Sequence, residues 1–309
     1  MLPSELGEIQ LKAAFGLRAK TSTKIFIAQA VLKMLELLPW IKAKIHHYTC
    51  SRFGIRWELD LAEVIDLSIF LLGFFELRVF RAYSKIVGQG DLVLDVGANR
   101  GAHTLWLAKL VGYQGKVIAF EPTVFAFEKL KKSLEMNPAL ASRVVALQAW
   151  ITGNSEGSHS TLPQQVFSSW RLDSVALPKH ALHGGIYQST SGAQSYSIDN
   201  LWSVFPDLDP RSLKFIKVDI DGFEPLFVNG AKETLKKYKP KILMEFAPYM
   251  ADEVGQDFDQ AICELVELGY RFHDVETHEM LSSDSAEIRK MIGVGSSRNV
   301  LLTPGSPSI

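Results

Sequence analysis

Cysteine is the scarcest residue of this 309-residue chain. Its two copies, Cys50 and Cys263, lie far apart and outside any metal-ligand spacing. That argues against a disulfide scaffold or a cysteine-rich metal centre and favours a reducing compartment. Net charge is nearly absent as well: 33 Lys and Arg face 34 Asp and Glu, a formal charge of −1. No overall basic field marks a nucleic-acid surface. Long apolar runs are missing too. Ile25 to Trp40 is interrupted by Lys33 and Glu36 and closed by Pro39, which leaves it too short and too charged to cross a bilayer. Glu5, Glu8 and Lys12 break the apolar stretch that a secretory signal needs, so a cytoplasmic protein is expected. No internal repeat recurs.

Hydrophobic residues make up 47% of the chain, enough for a sizeable core. Charge is unevenly spread. Residues 1–50 carry seven Lys and Arg against three Glu, whereas residues 251–287 carry eleven Asp and Glu against Arg271 alone. The plainest expectation is two solvated helix faces that attract one another. Ile25 to Trp40 reads as an amphipathic helix packed on the domain, with peripheral contact to a membrane surface as the alternative. Residues 1–53 form a helical N-terminal extension in this reading, and residues 54–309 the main domain.

From residue 91 the chain alternates strand and helix. Apolar runs place strands at 92–96, 116–121, 143–149, 213–219, 240–246, 270–275 and 298–303. Helices are expected over 101–111, 123–136, 224–238 and 257–268, after one long helix from Ile65 to Ile86 and a short strand at 54–61. The pattern predicts an α/β protein with a doubly wound, mostly parallel, Rossmann-like sheet, whose ligands sit beyond the carboxyl ends of the strands at the switch point. The long stretch 152–212, rich in Ser, Gly and His, reads as a lid or acceptor-selecting insertion, with a hairpin expected within Thr161 to Leu172.

The first strand run ends in Asp95-Val96-Gly97-Ala98-Asn99-Arg100-Gly101, spaced D-x-G-x-x-x-G, and a helix follows. Glycines there let a ligand approach bare backbone at a helix start. The dinucleotide pattern G-x-G-x-x-G is absent, because Asn99 stands where its second glycine would be. An aspartate at the first position repels a pyrophosphate and suits an ammonium group. Glu121, twenty residues past Gly101, is placed to accept ribose hydroxyls. A ligand with adenosine at one end and an amino acid at the other fits both: S-adenosylmethionine. The candidate cofactor residues are Asp95, Gly97, Ala98, Asn99, Gly101, Glu121, Pro122 and Ile151.

A second constellation closes the fourth strand of this series. Asp219, Asp221 and Glu224 lie within six residues, where mutual repulsion raises at least one pKa. They are the candidate catalytic residues, as a general base or, alternatively, as oxygen ligands of a divalent cation. A structural role for Glu224, on the first turn of a helix, is an equal reading. Glu245 ends the next strand and is placed to join them. His103 follows the glycine loop and is open between ligand and core; His46, His47, His180 and His183 read as surface or packing residues.

DVGANRG at 95–101, FEP at 120–122, SID at 197–199, IKVDIDGFE at 216–224, NGA at 229–231 and ME at 244–245 occur in that order. Together they resemble the FkbM family of S-adenosylmethionine-dependent methyltransferases, with similarity running over roughly 54–302. The resemblance implies the class I methyltransferase sheet of seven strands with the last antiparallel. The even charge, for its part, points to no nucleic-acid partner; the resemblance implies methyl transfer to a hydroxyl of a sugar, glycan or polyketide-like metabolite. By the same token Asp95, Gly97, Asn99 and Gly101 would form the methionine pocket, Glu121 the ribose clamp, and Asp219 would face the sulfonium. Two positions depart from the family's habit: Asp221 stands where glutamate is commoner, and Arg100 where an apolar residue is commoner. A non-catalytic cofactor-binding or scaffold protein is the rival reading, and a nicotinamide oxidoreductase the next.

Overall fold

The computed structural model describes residues 21–154, 163–173 and 185–305. The chain enters through helices α1 (Thr21–Glu36) and α2 (Pro39–Lys42). One face of α1 packs on the domain: Ala28 and Leu32 are buried, and the Gln29 side chain donates to the Leu172 carbonyl at 3.3 Å. Strands β1 (Tyr48–Arg52) and β2 (Ile55–Leu59) pair antiparallel. Phe53 and Gly54 turn the hairpin with φ of 51° and 78°, the geometry of a tight two-residue turn. The alternation at 54–61 anticipates β2 but not its partner, whose half-exposed pattern is weak.

The single helix expected over Ile65 to Ile86 is two, α3 (Val64–Leu72) and α4 (Leu77–Tyr83). Gly73 adopts φ 81° and donates its N–H to the Ile69 carbonyl at 2.8 Å, a left-handed stop for α3. The dense apolar run on both sides of Gly73 hides this stop in the sequence.

The seven strands of the central sheet lie within one or two residues of expectation. They are β3 (Leu92–Val96), β4 (Lys116–Phe120), β5 (Val144–Leu147), β10 (Leu213–Val218), β11 (Lys241–Phe246), β12 (Tyr270–Asp274) and β13 (Arg298–Pro304), in the order β12-β13-β11-β10-β3-β4-β5. Strands β4, β3, β10 and β11 run parallel, and β13 is antiparallel to both β11 and β12. This is the class I methyltransferase arrangement, read directly from the strand order. The chain moves outward from β3 to β5 and returns to the other side of β3 at β10, so the switch point lies between β3 and β10.

Period-two alternation divides the sheet residues between two cores. Leu92, Leu94, Val96, Ile216, Val218, Ile242 and Met244 face one layer. That layer is built by α9 (Glu224–Gly230), α10 (Lys232–Tyr238), α12 (Phe258–Glu267) and α13 (Ser285–Ile292). Val93, Phe215 and Leu243 face the other, built by α1, α3, α4 and α5 (Thr104–Val111). Helices α6 (Val124–Glu135) and α7 (Pro138–Ala141) flank β4 and β5. Helix α1 and helices α12 and α13 of the acidic segment pack on opposite layers; residues 1–20, with three of the seven basic residues of the N-terminal segment, lie outside the described residues. Of the acidic segment, Asp252 and Asp259 bond Arg289, Glu264 bonds Lys232, Asp274 bonds Arg298, and Glu276 reaches Arg78 of α4 at 2.8 Å.

The stretch 152–212 is partly core. Strand β6 (Ala149–Ile151) pairs parallel with β9 (Gln194–Tyr196), and Ile198 and Leu201, at the start of α8 (Leu201–Val204), are buried in the first layer. Strand β7 (Gln165–Ser169) pairs with β8 (Ile186–Ser189), not within Thr161 to Leu172 as the sequence suggests. Residues 174–184 between them, including His180 and His183, lie outside the described residues. The expected helix over 224–238 breaks at Ala231. Asp199 accepts the Glu233 and Thr234 N–H groups at 3.2 and 2.7 Å and starts α10 afresh. The SID and NGA motifs thus meet at a structural junction. A short α11 (Pro248–Glu253) follows β11.

Candidate active site

The switch point brings together the ends of β3, β4, β10 and β11. Asp95 and Lys217 face each other across the β3–β10 ladder. Beyond β3 the loop 97–101 turns tightly, with φ of 83° at Gly97, 47° at Asn99 and 89° at Gly101. The Gly97 and Ala98 N–H groups donate to the Phe120 carbonyl at 3.0 and 2.9 Å, fixing the loop to β4. A Cβ on Gly97 would stand 1.8 Å from the Asp219 carbonyl oxygen. Close approach of two strand ends requires this glycine, independently of any ligand.

The Arg100 departure has a physical reason. The side chain is 2% exposed and points away from the cleft. Its guanidinium pairs with buried Asp66, donates to the Glu58 carbonyl at 2.9 Å and Ser133 Oγ at 3.2 Å, and lies over the Trp57 ring at 5.2 Å. It ties the glycine loop to β2 and α3. Asp66, a lone carboxylate in the apolar run Val64–Leu72, is the sequence signal that points to such a partner.

A narrow cleft opens beside the loop, lined by Val96, Gly97, Phe120, Pro122, Trp150, Ile151 and Ile220 among others. Its walls are apolar, as an adenine ring requires. Gly97, Pro122 and Ile151 thus line one cleft; Ala98, Asn99, Gly101 and Glu121 adjoin the lining residues in sequence, and Asp95 stands on the other face of β3 from Val96. Among the described residues, Asp95 Oδ1 and Trp150 Nε1 are buried polar atoms with no hydrogen-bond partner. Asp95 Oδ2 is held by the Thr104 hydroxyl at 2.6 Å, which fixes the carboxylate with its other oxygen unpaired. An acceptor beside the glycine loop and a donor in the apolar cleft match a ligand with an ammonium group at one end and a heteroaromatic base at the other. Trp150 was not singled out in the sequence; its place one residue before Ile151 was the signal.

Glu121 is buried and already engaged. Its Oε2 accepts the Asn99 N–H at 2.9 Å, and its Oε1 accepts the Thr123 N–H and hydroxyl at 2.9 and 2.6 Å. Burial raises its pKa, and the bonds from Thr123 and Asn99 oppose that rise. One acceptor position remains on Oε2, since a carboxylate oxygen has two lone pairs. Glu121 therefore both shapes the loop and offers a hydrogen-bond acceptor.

At the end of β10, Lys217 and Asp219 project from the same face, and their Nζ and Oδ2 stand 3.0 Å apart. Burial alone would raise Asp219; the Lys217 ammonium outweighs it and holds the carboxyl below the usual range. Burial likewise works against the Lys217 charge, and Asp219 with Asp95 keep it protonated. The neighbouring carboxyls go the other way. Burial and the Asp219 charge push Glu245 well up, although Ser297 donates to its Oε1 at 2.6 Å. Burial, Asp219 and Glu224 push Asp221 well up. Asp221 holds φ 51°, a strained conformation for a non-glycine residue.

Glu224 accepts the Ile220 and Gly222 N–H groups, both at 3.0 Å, and so clamps the turn that presents Asp221. Burial raises it to about 7 against these bonds. Among the described residues, no group of three or more His, Cys, Asp or Glu is arranged to hold a metal ion. His103 is buried, with Nδ1 3.3 Å from the Tyr83 hydroxyl and Nε2 3.7 Å from Glu76.

Strand β7 lies against the glycine loop. Ser168 receives bonds from the Asn99 side chain at 3.2 Å and the Thr123 hydroxyl at 2.9 Å. Ser169 donates to Glu63 at 2.8 Å, and Phe167 packs on Ala247 and Met250. The strand thus bridges the glycine loop and the end of β11.

The family model described as the methyltransferase FkbM domain matches residues 95–272. The methyltransferase sdnD of Sordaria araneosa is 28% identical over 167 residues, 47% of this chain and 62% of that protein. The chain thus spans less than two thirds of the length of this curated relative. Among solved structures, the methyltransferase FkbM of Methylobacillus flagellatus aligns over 97% of this chain and 58% of its own, at 13% identity and a TM-score of 0.40. A SAM-dependent methyltransferase of Aquifex aeolicus aligns over 77% and 94%, at 17% identity and a TM-score of 0.38.

Proposed function

Since the chain belongs to the FkbM methyltransferase domain family, we propose that it is an S-adenosylmethionine-dependent O-methyltransferase acting on a hydroxyl of a sugar, glycan or polyketide-like metabolite. One observation carries the reading: Asp219, fixed as an anion by Lys217, stands at the switch point among carboxyls whose pKa values are raised. Bound S-adenosylmethionine supplies an electrophilic methyl group on a cationic sulfonium.

Asp95, with one oxygen unpaired, would hold the ammonium end of that ligand. Glu121 would accept from the ribose through its remaining position, and Ile151, Pro122 and Trp150 would line the site of the base. Ala98, Asn99 and Gly101 shape the loop between them. A hydroxyl acceptor loses its proton as the methyl group arrives, so the site must hold a negative charge and receive a proton. Asp219 supplies the fixed charge and orients the hydroxyl. Asp221 and Glu245, once ionised, are stronger bases than ordinary carboxylates and receive the proton. Glu224 acts on Asp221 through the turn it clamps. Most of the rate advantage comes from alignment of acceptor and methyl group in a closed site. Lys217 holds Oδ2 of Asp219, so a divalent cation at this carboxylate would have to share it with an ammonium group.

The free cysteines Cys50 and Cys263 suit a cytoplasmic setting. A screen of sugars, glycans and polyketide-like metabolites with methyl-labelled cofactor tests the assignment. Label should pass to an oxygen, and Asp219→Asn should slow transfer by roughly a hundred-fold while the fold persists. Label on nitrogen or carbon, or near-normal turnover by Asp219→Asn, would overturn it.

A further inference from the structure

Helix α1 is apolar on two opposite sides, and one of them has no partner among the described residues. Ala28, Val31, Leu32 and Leu35 lie inward, in the core under the sheet. Phe26, Ala30, Met34 and Leu37 recur at the spacing i, i+4, i+8 and i+11, about half a helical turn away from the inward set. Phe26, Met34 and Leu37 are 70%, 68% and 79% exposed. Trp40 continues the stripe into α2 at 66% exposed, while its neighbour Ile41 is buried. An apolar stripe about 16 Å long from Phe26 to Leu37 is not a set of scattered surface residues. No α-helix in the described residues is long and apolar enough to cross a membrane.

Charge around the stripe selects its occupant. Lys33 lies within it, and Lys42 and Lys44 follow, all exposed; between residues 26 and 47 only Glu36 opposes them. A second copy docked on this face would bring two sets of lysines together with one carboxylate each. An anionic lipid surface instead takes the apolar side chains between its headgroups and leaves the ammonium groups at the phosphates, with the Lys33 stem long enough to reach them. Tryptophan favours the same boundary, since its indole is apolar with one polar edge. Helices α12 and α13 of the acidic segment 251–287 pack in the opposite layer of the sheet, so the lysine-bearing α1 side is the one a negative surface attracts.

We propose that the outer face of α1, continued by Trp40, docks the protein on an anionic lipid bilayer, with the helix lying along the surface. This inference stands independently of the methyl-transfer reading. The test is flotation of the full chain with vesicles of phosphatidylcholine alone and of phosphatidylcholine mixed with phosphatidylserine. The protein should float with the mixed vesicles and remain in solution with the neutral ones, and raised salt should release it.

The variant Phe26→Ser, Met34→Ser, Leu37→Ser, Trp40→Ser should stay in solution with an unchanged melting temperature, because all four side chains are exposed. The triple change of Lys33, Lys42 and Lys44 to Glu should weaken vesicle binding by at least a hundred-fold, at roughly five-fold for each lysine removed and more for each charge reversed. Three results would overturn the proposal. One is wild-type protein that floats with neither vesicle. Another is a four-residue variant that floats as well as wild type. The last is sedimentation showing a dimer that these substitutions dissociate, which would assign the face to a second copy.

Discussion

Replacing Gly97 by alanine tests the geometry of the switch point with a single methyl group. Two costs arise. The backbone φ of 83° disfavours any L side chain, by about 1–2 kcal/mol. The added Cβ would also stand 1.8 Å from the Asp219 carbonyl oxygen, whereas real Cβ atoms keep at least 3.0 Å. The neighbour is backbone, so the end of β10 must retreat by more than an ångström or the loop must open. Overpacking of this kind costs a further 1–3 kcal/mol or so. The sum, about 2–5 kcal/mol, is a large part of the 5–15 kcal/mol or so that stabilises a typical domain.

Gly90→Ala is the control. Its φ is 86°, yet a Cβ there meets nothing within 4 Å. Urea unfolding should show Gly90→Ala losing only the conformational term, about 1–2 kcal/mol, with binding of S-adenosylhomocysteine unchanged. Gly97→Ala should lose roughly 1–3 kcal/mol more and bind that ligand at least ten-fold more weakly. Equal stability losses in the two variants, or unchanged ligand affinity in Gly97→Ala, would refute the close approach of β3 and β10 as the reason for this glycine.

Glu121→Ala should weaken cofactor binding ten- to a hundred-fold, or about 1.5–3 kcal/mol; it should also lower the melting temperature, because the Asn99 and Thr123 donors lose their acceptor. Arg100→Met should destabilise the fold by about 3–5 kcal/mol in urea, leaving Asp66 buried without its guanidinium, and Asp66→Leu in the same chain should recover part of the loss. Glu224 titrates near 7 when folded, above the 4.5 of an ordinary glutamate. The proton is thus bound more tightly in the folded state, so the stability it contributes is full below about pH 4.5 and is lost as pH rises through about 7. At most about 3 kcal/mol is at stake; Glu224→Gln should flatten the slope of unfolding free energy between pH 5 and 8, and an unchanged slope would refute the assignment.

Strands were legible because buried parallel strands are short apolar runs, and runs such as Leu92-Val93-Leu94 have no other reading between turn signals. The glycine loop was legible because strand, D-x-G-x-x-x-G and helix follow in a fixed order. Helix breaks were not legible. At Gly73 the apolar pattern continues past the stop, and at Ala231 the break depends on Asp199, more than thirty residues earlier. The carboxylate group at 219–224 was visible as a cluster, but its division of labour was not. Lys217 lies two residues before Asp219 on a strand, so the two share a face; that the lysine is buried, and so anchors the charge, only the fold reveals. Glu224 has the opposite lesson: its backbone bonds occupy both oxygens, a role set by local turn geometry.

Isothermal calorimetry of the full chain with S-adenosylmethionine, S-adenosylhomocysteine and NAD tests the central claim most directly. The account predicts one site per chain for the first two, weakened by Glu121→Ala and Gly97→Ala, and no heat from NAD. Tight binding of NAD with no response to the other two would contradict it.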